Sequence, residues 1–450
     1  MGKRITVTGI LALFFLGIFP GVIFGQTNSD STLTLDECIQ IAMQNKVDVK
    51  IAKEQVGVAE AQQQSALGNY FPNVSMSVRG SHTEQGQGKR FFSGFEYTSE
   101  AFGRDYYNAG LDINETVYNG FAVHNTRKLA NLNYDQAQVG FLSTKQQVIL
   151  NVTKSYLDVL RAKELVRVYE KTLESSQAQV NLVKERYNLG AVAQTDVYKA
   201  QTRAGNDKIN LLQQKNTLDL QKRNLNFAMG RNPMEHIVLP EFEYASPAIP
   251  AEKTAKVEAL QANKDLRSME LDVRKSRANL AIARSNLIPS VGAFFSYGRT
   301  GFRLNELYTG LDKNWSYSYG LNVSIPIFSR FNSSTQIKTR QADVSIAQKR
   351  FVDAKLQVEM QVSNLIQQLK TYGEIIDLNQ LNLQSAEEDL RLAREQYNVG
   401  QATLLDVLDA QANLTNAQRI LVYAKFDAKN LEYQLQAVLG KLTGSATSNS

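Results

Sequence analysis

At 450 residues with a single cysteine, the chain is long enough to bury a large core and carries no internal disulfide. Its formal net charge of +6, from 50 basic against 44 acidic residues, is spread along the sequence. No basic tract is interleaved with aromatics, which argues against a nucleic-acid partner.

Lys3 and Arg4 precede an apolar run from Ile5 to Phe24, broken by Pro20 and followed by Gly25-Gln26 and a polar stretch. This order predicts a signal peptide over residues 1–25, with an uncleaved membrane anchor as the competing reading. No later stretch approaches the length of apolar sequence a membrane helix needs, so any further entry into a membrane is expected to use strands. Cys38 follows Leu35-Asp36-Glu37, which lacks the small residues of a lipoprotein signal, and is expected to be a buried helix residue.

Thr34 and Glu37 form a capping-box pattern, and helical periodicity runs from Cys38 to about Leu67, before Pro72. After Pro72 the period falls to two: Val74, Met76 and Val78 alternate with Ser75, Ser77 and Arg79, and after a Gly- and aromatic-rich loop Leu111 and Ile113 alternate with polar residues. Residues 252–287 repeat the opening helix. Val291, Ala293, Phe295 and Tyr297, then Tyr317, Tyr319, Leu321, Val323 and Ile325, repeat the alternation. Such strands fit either a membrane barrel, apolar towards lipid and polar towards a lumen, or a half-buried soluble sheet. Tyr106, Tyr107, Trp315 and Tyr317 near the strand ends fit an interfacial aromatic belt and favour the membrane.

From Phe121 to Leu189 and from Phe331 to Val399 the chain has no proline and almost no glycine. Apolar residues there fall on helical steps, as in Val148, Val152, Val159 and Val166 or Val358, Val362, Leu365 and Leu369, which predicts two helices of roughly 100 Å. Each ends in a repeated motif. Arg186-Tyr187-Asn188-Leu189-Gly190 returns about 210 residues later as Gln396-Tyr397-Asn398-Val399-Gly400, and the same offset pairs Lys215 with Lys425 and Gly230 with Gly440. The glycines suit a left-handed helix end, and Thr195-Asp196 offers N-cap side chains for the helix that follows. Each copy reads as a helix-turn-helix tip, an ordinary hairpin turn unless its retention in both copies marks a task.

The chain therefore divides into a first repeat over 26–230 (helix, β-hairpin about 73–117, long helix 121–189, tip, helix 194–230) and a Pro-rich connector over 231–250. A second repeat follows over 251–440 (helix, β-hairpin about 290–328, long helix 331–399, tip, helix 404–440), and then a disordered tail over 441–450. His82, His124 and His236 show no metal-ligand spacing, and no phosphate loop or nucleophile motif is present. No enzyme, no catalytic residue, no cofactor and no metal are expected. Four strands cannot close a barrel, so several chains must contribute: two copies give a filled barrel, three leave room for solute.

With these residues in view, the sequence resembles the TolC-like outer membrane factors. The resemblance rests on Leu33-Thr34-Leu35-Asp36-Glu37, the helix-to-strand switches at Pro72 and Pro289, and the two tips, the second followed by Asp406-Val407-Leu408-Asp409. It implies an α+β, internally duplicated membrane protein whose four strands per chain join a homotrimeric 12-stranded barrel, continued by a coiled-coil helical tunnel in the periplasm. It further implies an exit duct of an efflux pump or type I secretion system in the outer membrane lipid, served by a periplasmic adaptor and an inner-membrane transporter. A trimeric surface fibre with a coiled-coil stalk is the alternative, disfavoured because the helices turn back.

The resemblance also assigns residues. Asp406 and Asp409 match its carboxylate rings at the tunnel's narrow end, with Thr195, Asp196 and Tyr397 as links between neighbouring coils and Lys425 as their cation; Ala402 stands where the family can place a basic residue. Gly190, Ala191, Val192, Gly400, Ala402 and Leu404 are expected to form the adaptor-docking edge, unless they pack only on one another.

Overall fold

The computed structural model describes residues 32–442. The signal-peptide and tail expectations lie mostly or wholly outside them. The first half runs α1 (Leu35–Asn45), α2 (Val47–Gly68), β1 (Asn73–Gln85), β2 (Gly88–Phe92), β3 (Phe95–Ser99), β4 (Phe102–Asn119), α3 (Ala122–Asn188) and α4 (Gln194–Ala228). The second runs α5 (Glu252–Ala262), α6 (Lys264–Ser285), β5 (Ser290–Gly301), a 3₁₀ turn (Leu304–Leu307), β6 (Trp315–Ser324), α7 (Asn332–Asn398) and α8 (Leu404–Val438). Residues between α4 and α5 form neither helix nor strand.

The two long helices carry 67 residues each, which at 1.5 Å per residue is about 100 Å. Their apolar registers face inward: Val148, Val152, Val159, Val358, Val362 and Leu369 are all buried. Towards the strands α3 packs on α2 and α6, and α6 on α7; towards the tips α3 packs on α4 and α8, and α8 on α7. The long helices thus run through two stacked helical layers, each completed by shorter ones. Near the middle, Cys38, Val152, Leu225, Met229 and Ile237 share one core. Burial pushes the Cys38 thiol up to about 12, consistent with an inert packed residue.

Three expectations are corrected. The opening helices are each broken once, at Lys46 and Asn263, whose extended ψ of 125° and 124° interrupts the ladder. Neither is glycine or proline, so the apolar period runs across the break unannounced; Asn263 restarts its helix by accepting a hydrogen bond from the Leu266 N–H at 3.0 Å. Second, the loop after β1 holds a small antiparallel ribbon, β2 with β3, separate from the main sheet. Third, α4 starts before Thr195-Asp196: its N-cap is Ala193, which offers no side-chain acceptor. In the second half Thr403 does cap α8, in a complete box with Asp406.

The helix breaks receive the glycines that end the descending helices. Gly230 (φ +72°) and Gly440 (φ +70°) both adopt the left-handed conformation. A Cβ on Gly230 would lie 3.0 Å from the Asn45 carbonyl carbon, and one on Gly440 would lie 2.8 Å from the Ala262 Cβ. A side chain at either place therefore meets backbone as well as a disfavoured φ.

The main sheet is antiparallel in the order β1-β4-β5-β6, with one irregularity between Thr116 and Tyr118. Strand turns into long helix through two successive left-handed residues in each half, Gly120-Phe121 and Arg330-Phe331. Only the first pair uses glycine.

Gly400 (φ +80°) has open space where its Cβ would be, unlike Gly440. Gly400→Ala should therefore cost about 1 kcal/mol, from the left-handed backbone alone, and Gly440→Ala at least about twice that, because Ala262 must also move. Thermal melts followed by circular dichroism check this; equal losses would contradict the seating of Gly440 on the helix break.

Candidate functional site: the strand wall and the helical tips

The register of the sheet sorts side chains into two chemically opposite faces. Met76, Leu111, Tyr297 and Tyr317 form one row across all four strands, and Val74, Ile113, Phe295 and Tyr319 the next. On the other face Ser75, Asp112, Ser296 and Ser318 align, and Ser77, Gly110, Gly298 and Ser316 follow. The Ser296 hydroxyl donates to Asp112 Oδ1 at 2.6 Å.

The apolar face is bare, with Met76 75 % and Tyr319 74 % exposed. A face of this kind is costly in water and stable against lipid acyl chains, while the serine face suits a wet interior. Trp315, Tyr317 and Tyr319 stack in a column along β6, their ring centroids 5.8 and 6.4 Å apart.

The expected aromatic belt divides. Tyr107, Trp315 and Tyr317 lie on the apolar face, whereas Tyr106 alternates onto the polar face, where it approaches Phe302. At the opposite end of the strands the corner residues Phe121, Phe328 and Phe331 are largely exposed and form a second aromatic level. Tyr118 meets Phe121, and Phe328 meets Phe331, edge to face.

At the far end of the long helices the two tips share one core of Val183, Val197, Leu390, Tyr397, Leu404 and Val407. Both close in the same way. The N–H of Gly190 donates to Tyr187 O and that of Ala191 to Arg186 O; Gly400 and Gln401 repeat this onto Tyr397 O and Gln396 O. These are Schellman ends, and they require the left-handed glycine.

The candidate residues distribute unevenly. Gly190, Ala191 and Gly400 are exposed, Val192 and Ala402 half-buried, and Leu404 is 4 % exposed. Leu404 is thus removed from any docking edge by its place in the tip core. Thr195 is exposed, and Asp196 lies 3.4 Å from Lys199 on its own helix.

Asp406 and Asp409 are both exposed one turn apart on α8. Asp406 also accepts from the Thr403 hydroxyl and N–H, each at 2.7 Å, and these hydrogen bonds hold its carboxyl below the usual range. Because that pKa is depressed, the cap's contribution is present above the ordinary carboxylate pKa and is lost as pH falls through the folded value.

Lys425 is not at the tips. It lies 19 residues beyond Asp406 on one continuous helix, about 28 Å along its axis, with Nζ 5.5 Å from the Tyr244 ring in the connector.

The cation at Tyr397 is Arg186. Its guanidinium lies 4.5 Å over the Tyr397 ring and donates to Tyr397 O at 2.9 Å and to Asn398 O and Oδ1 at 3.2 and 3.1 Å. The end of α3 thereby caps the end of α7. In sequence, the only hint was the duplicated motif itself: Arg186 precedes Tyr187, whereas Gln396 precedes Tyr397.

Known proteins resemble this chain in sequence and in fold. The family described as outer membrane efflux protein matches residues 38–231 and 256–441, one segment in each half. The chain belongs to this family. The probable efflux pump outer membrane protein TtgC of Pseudomonas putida is 23 % identical over 414 residues, spanning 90 % of this chain and 82 % of that protein. The outer membrane protein TolC of Vibrio cholerae is 24 % identical over 352 residues, spanning 75 % and 78 %.

Among solved structures, CusC superposes with a TM-score of 0.80 at 18 % identity, covering 90 % of this chain and 92 % of its own. VceC of Vibrio cholerae superposes with a TM-score of 0.78 at 20 % identity, covering 90 % and 96 %. These likenesses establish the fold, and family membership makes this an outer membrane protein reaching into the periplasm. Among the described residues, no helix is long and apolar enough to cross a membrane, and no group of His, Cys, Asp and Glu could hold a metal ion.

Removing the Arg186 cap should loosen the end of α7 without unfolding the bundle. In Arg186→Ala, amide exchange at residues 396–402 is expected to speed up by about tenfold or more, the usual worth of a charged hydrogen bond, while exchange near Val152 and Val362 stays as in the parent. Unchanged exchange at the tip would show that the contact carries no stability.

Proposed function

We propose that the chain is one protomer of a homotrimeric exit duct of an efflux pump or type I secretion system. In this reading a 12-stranded barrel in the outer membrane continues as a helical tunnel in the periplasm. The observation that carries the proposal is the sheet with two opposite faces and two unpaired edges, β1 and β6. Within lipid, unpaired backbone edges are untenable, so the sheet must close with other copies, and three copies of four strands leave a water-filled interior.

The helical layers support the same closure. Their outer helices leave apolar side chains uncovered, Val47, Ile51 and Val58 on α2, Ile209 and Leu212 on α4, and Val352, Leu356 and Met360 on α7. A neighbouring copy that seats α7 against α2 and α4 buries all three stripes, with the exposed Leu378 and Leu381 of α7 meeting Ile209 and Leu212. The alternative of a surface fibre loses support because both long helices turn back and pack on their own chain.

The cargo enters from an inner-membrane transporter through a periplasmic adaptor that docks at the tips, against Gly190, Ala191, Val192, Gly400 and Ala402. Leu404 supports this edge from beneath. The tips also form the gate: Asp406 and Asp409 present carboxylates, with Thr195, Asp196 and Tyr397 at the same end. Arg186 replaces Lys425 as the cation that holds one tip to the other.

Native mass measurement in detergent is expected to give three chains per particle; a monomer would overturn the duct. In planar bilayers, Arg186→Ala should raise single-channel conductance, and Asp406→Asn with Asp409→Asn should remove block by multivalent cations. Parental conductance and block in both variants would place the gate elsewhere.

A further inference from the structure

The duplication leaves one cation without the partner its twin retains. Lys215 on α4 pairs with Glu170 on α3, Nζ to Oε1 2.8 Å. The same offset carries Lys215 to Lys425, but it carries Glu170 to Gln380. The lysine is kept and its carboxylate is replaced by a neutral amide. Lys425 forms no ion pair among the described residues and turns instead towards Tyr244 of the connector.

Lys425 lines a groove of about 360 Å³ between α3 and α8, partly roofed by the connector. Arg167 and Lys171 enter it from α3, one helical turn apart, and neither forms an ion pair among the described residues. Glu164 is the one carboxylate in the lining, so three cations face one anion. Apart from Gln418, the rest is aromatic and aliphatic: Phe242 stacks on Phe426 with centroids 4.4 Å apart, and Tyr244 and Leu421 close the side.

We propose that this groove binds an organic anion with an aromatic body. Its volume falls in the range of small-molecule sites, and its chemistry divides as such sites do, with an apolar wall for the body and a few charged groups for the head. The ring system of the ligand lies against Phe242 and Tyr244, with the buried Phe426 backing Phe242. Its carboxylate or sulfonate takes charge-assisted hydrogen bonds from Lys425 and the α3 cations. A ligand so placed ties the connector to both α3 and α8. The site lies far along α8 from the tips, and the inference does not depend on the gate.

The test uses the full chain as purified in detergent, with naphthalene-1,5-disulfonate as the probe in isothermal titration against matched micelles. One saturable site per chain is expected. Lys425→Gln should weaken binding about tenfold or more, Lys425→Arg should keep most of it, and Lys215→Gln, which removes the paired twin, should leave it unchanged. Circular dichroism verifies that the variants fold. No saturable binding, or equal weakening by Lys425→Gln and Lys215→Gln, overturns the site, since the second result means only general charge attraction. If Lys425→Gln fails to fold, Lys171→Gln takes its place with the same expected loss, and unaltered binding there also refutes the proposal.

Discussion

A backbone N–H or C=O inside lipid has no water to turn to, and this constraint governs the whole molecule. One chain supplies four strands whose inner ladders are complete and whose outer strands, β1 and β6, each keep a row of unpaired groups. The apolar rows through Met76 and Phe295 make burial in lipid favourable, and the open edges make burial alone impossible. Assembly is thus written into the sheet. In the proposed duct the long helices inherit the arrangement: a helix that leaves each strand pair at a fixed corner lies beside its neighbours around the same axis.

Duplication supplies two copies of each device, and the differences between copies are informative. Both opening helices break, both descending helices end in glycine against the break, and both tips close with the same hydrogen bonds. Yet α8 begins with a full capping box and α4 with alanine, so the second tip has the better-secured helix start. Arg186 crosses from the first tip to cap the second, and among the described residues none crosses back in the same way, since Gln396 stands at its equivalent position. The two halves share a frame and divide the work at its end.

Much of this was legible in the sequence because it is periodic. The alternation from Val291 to Tyr297 and the helical steps from Val358 to Leu369 each survive with the expected faces. What was not legible is what period cannot encode. Lys46 breaks a helix through a change of ψ at a residue with no conformational signature, and Gly230, which is seated against the break, is 184 positions away. The reach of Arg186 to Tyr397 spans 211 positions, and only the folded chain brings them together. The small ribbon β2–β3 hid within a stretch that glycine and aromatics made look irregular. Lys425 was misplaced because resemblance transfers a residue type without its height along the helix.

The helix breaks have a mechanical side. From the level where Gly230 and Gly440 are seated, α4 and α8 extend for 35 residues each, an arm of about 52 Å. A tilt of about 5° at that level sweeps the tip through roughly 4.5 Å, close to the rise of one helical turn. By that geometry, a displacement at the level of the seated glycines too small to disturb the packing of the middle core would become, at the tips, the width of a side chain.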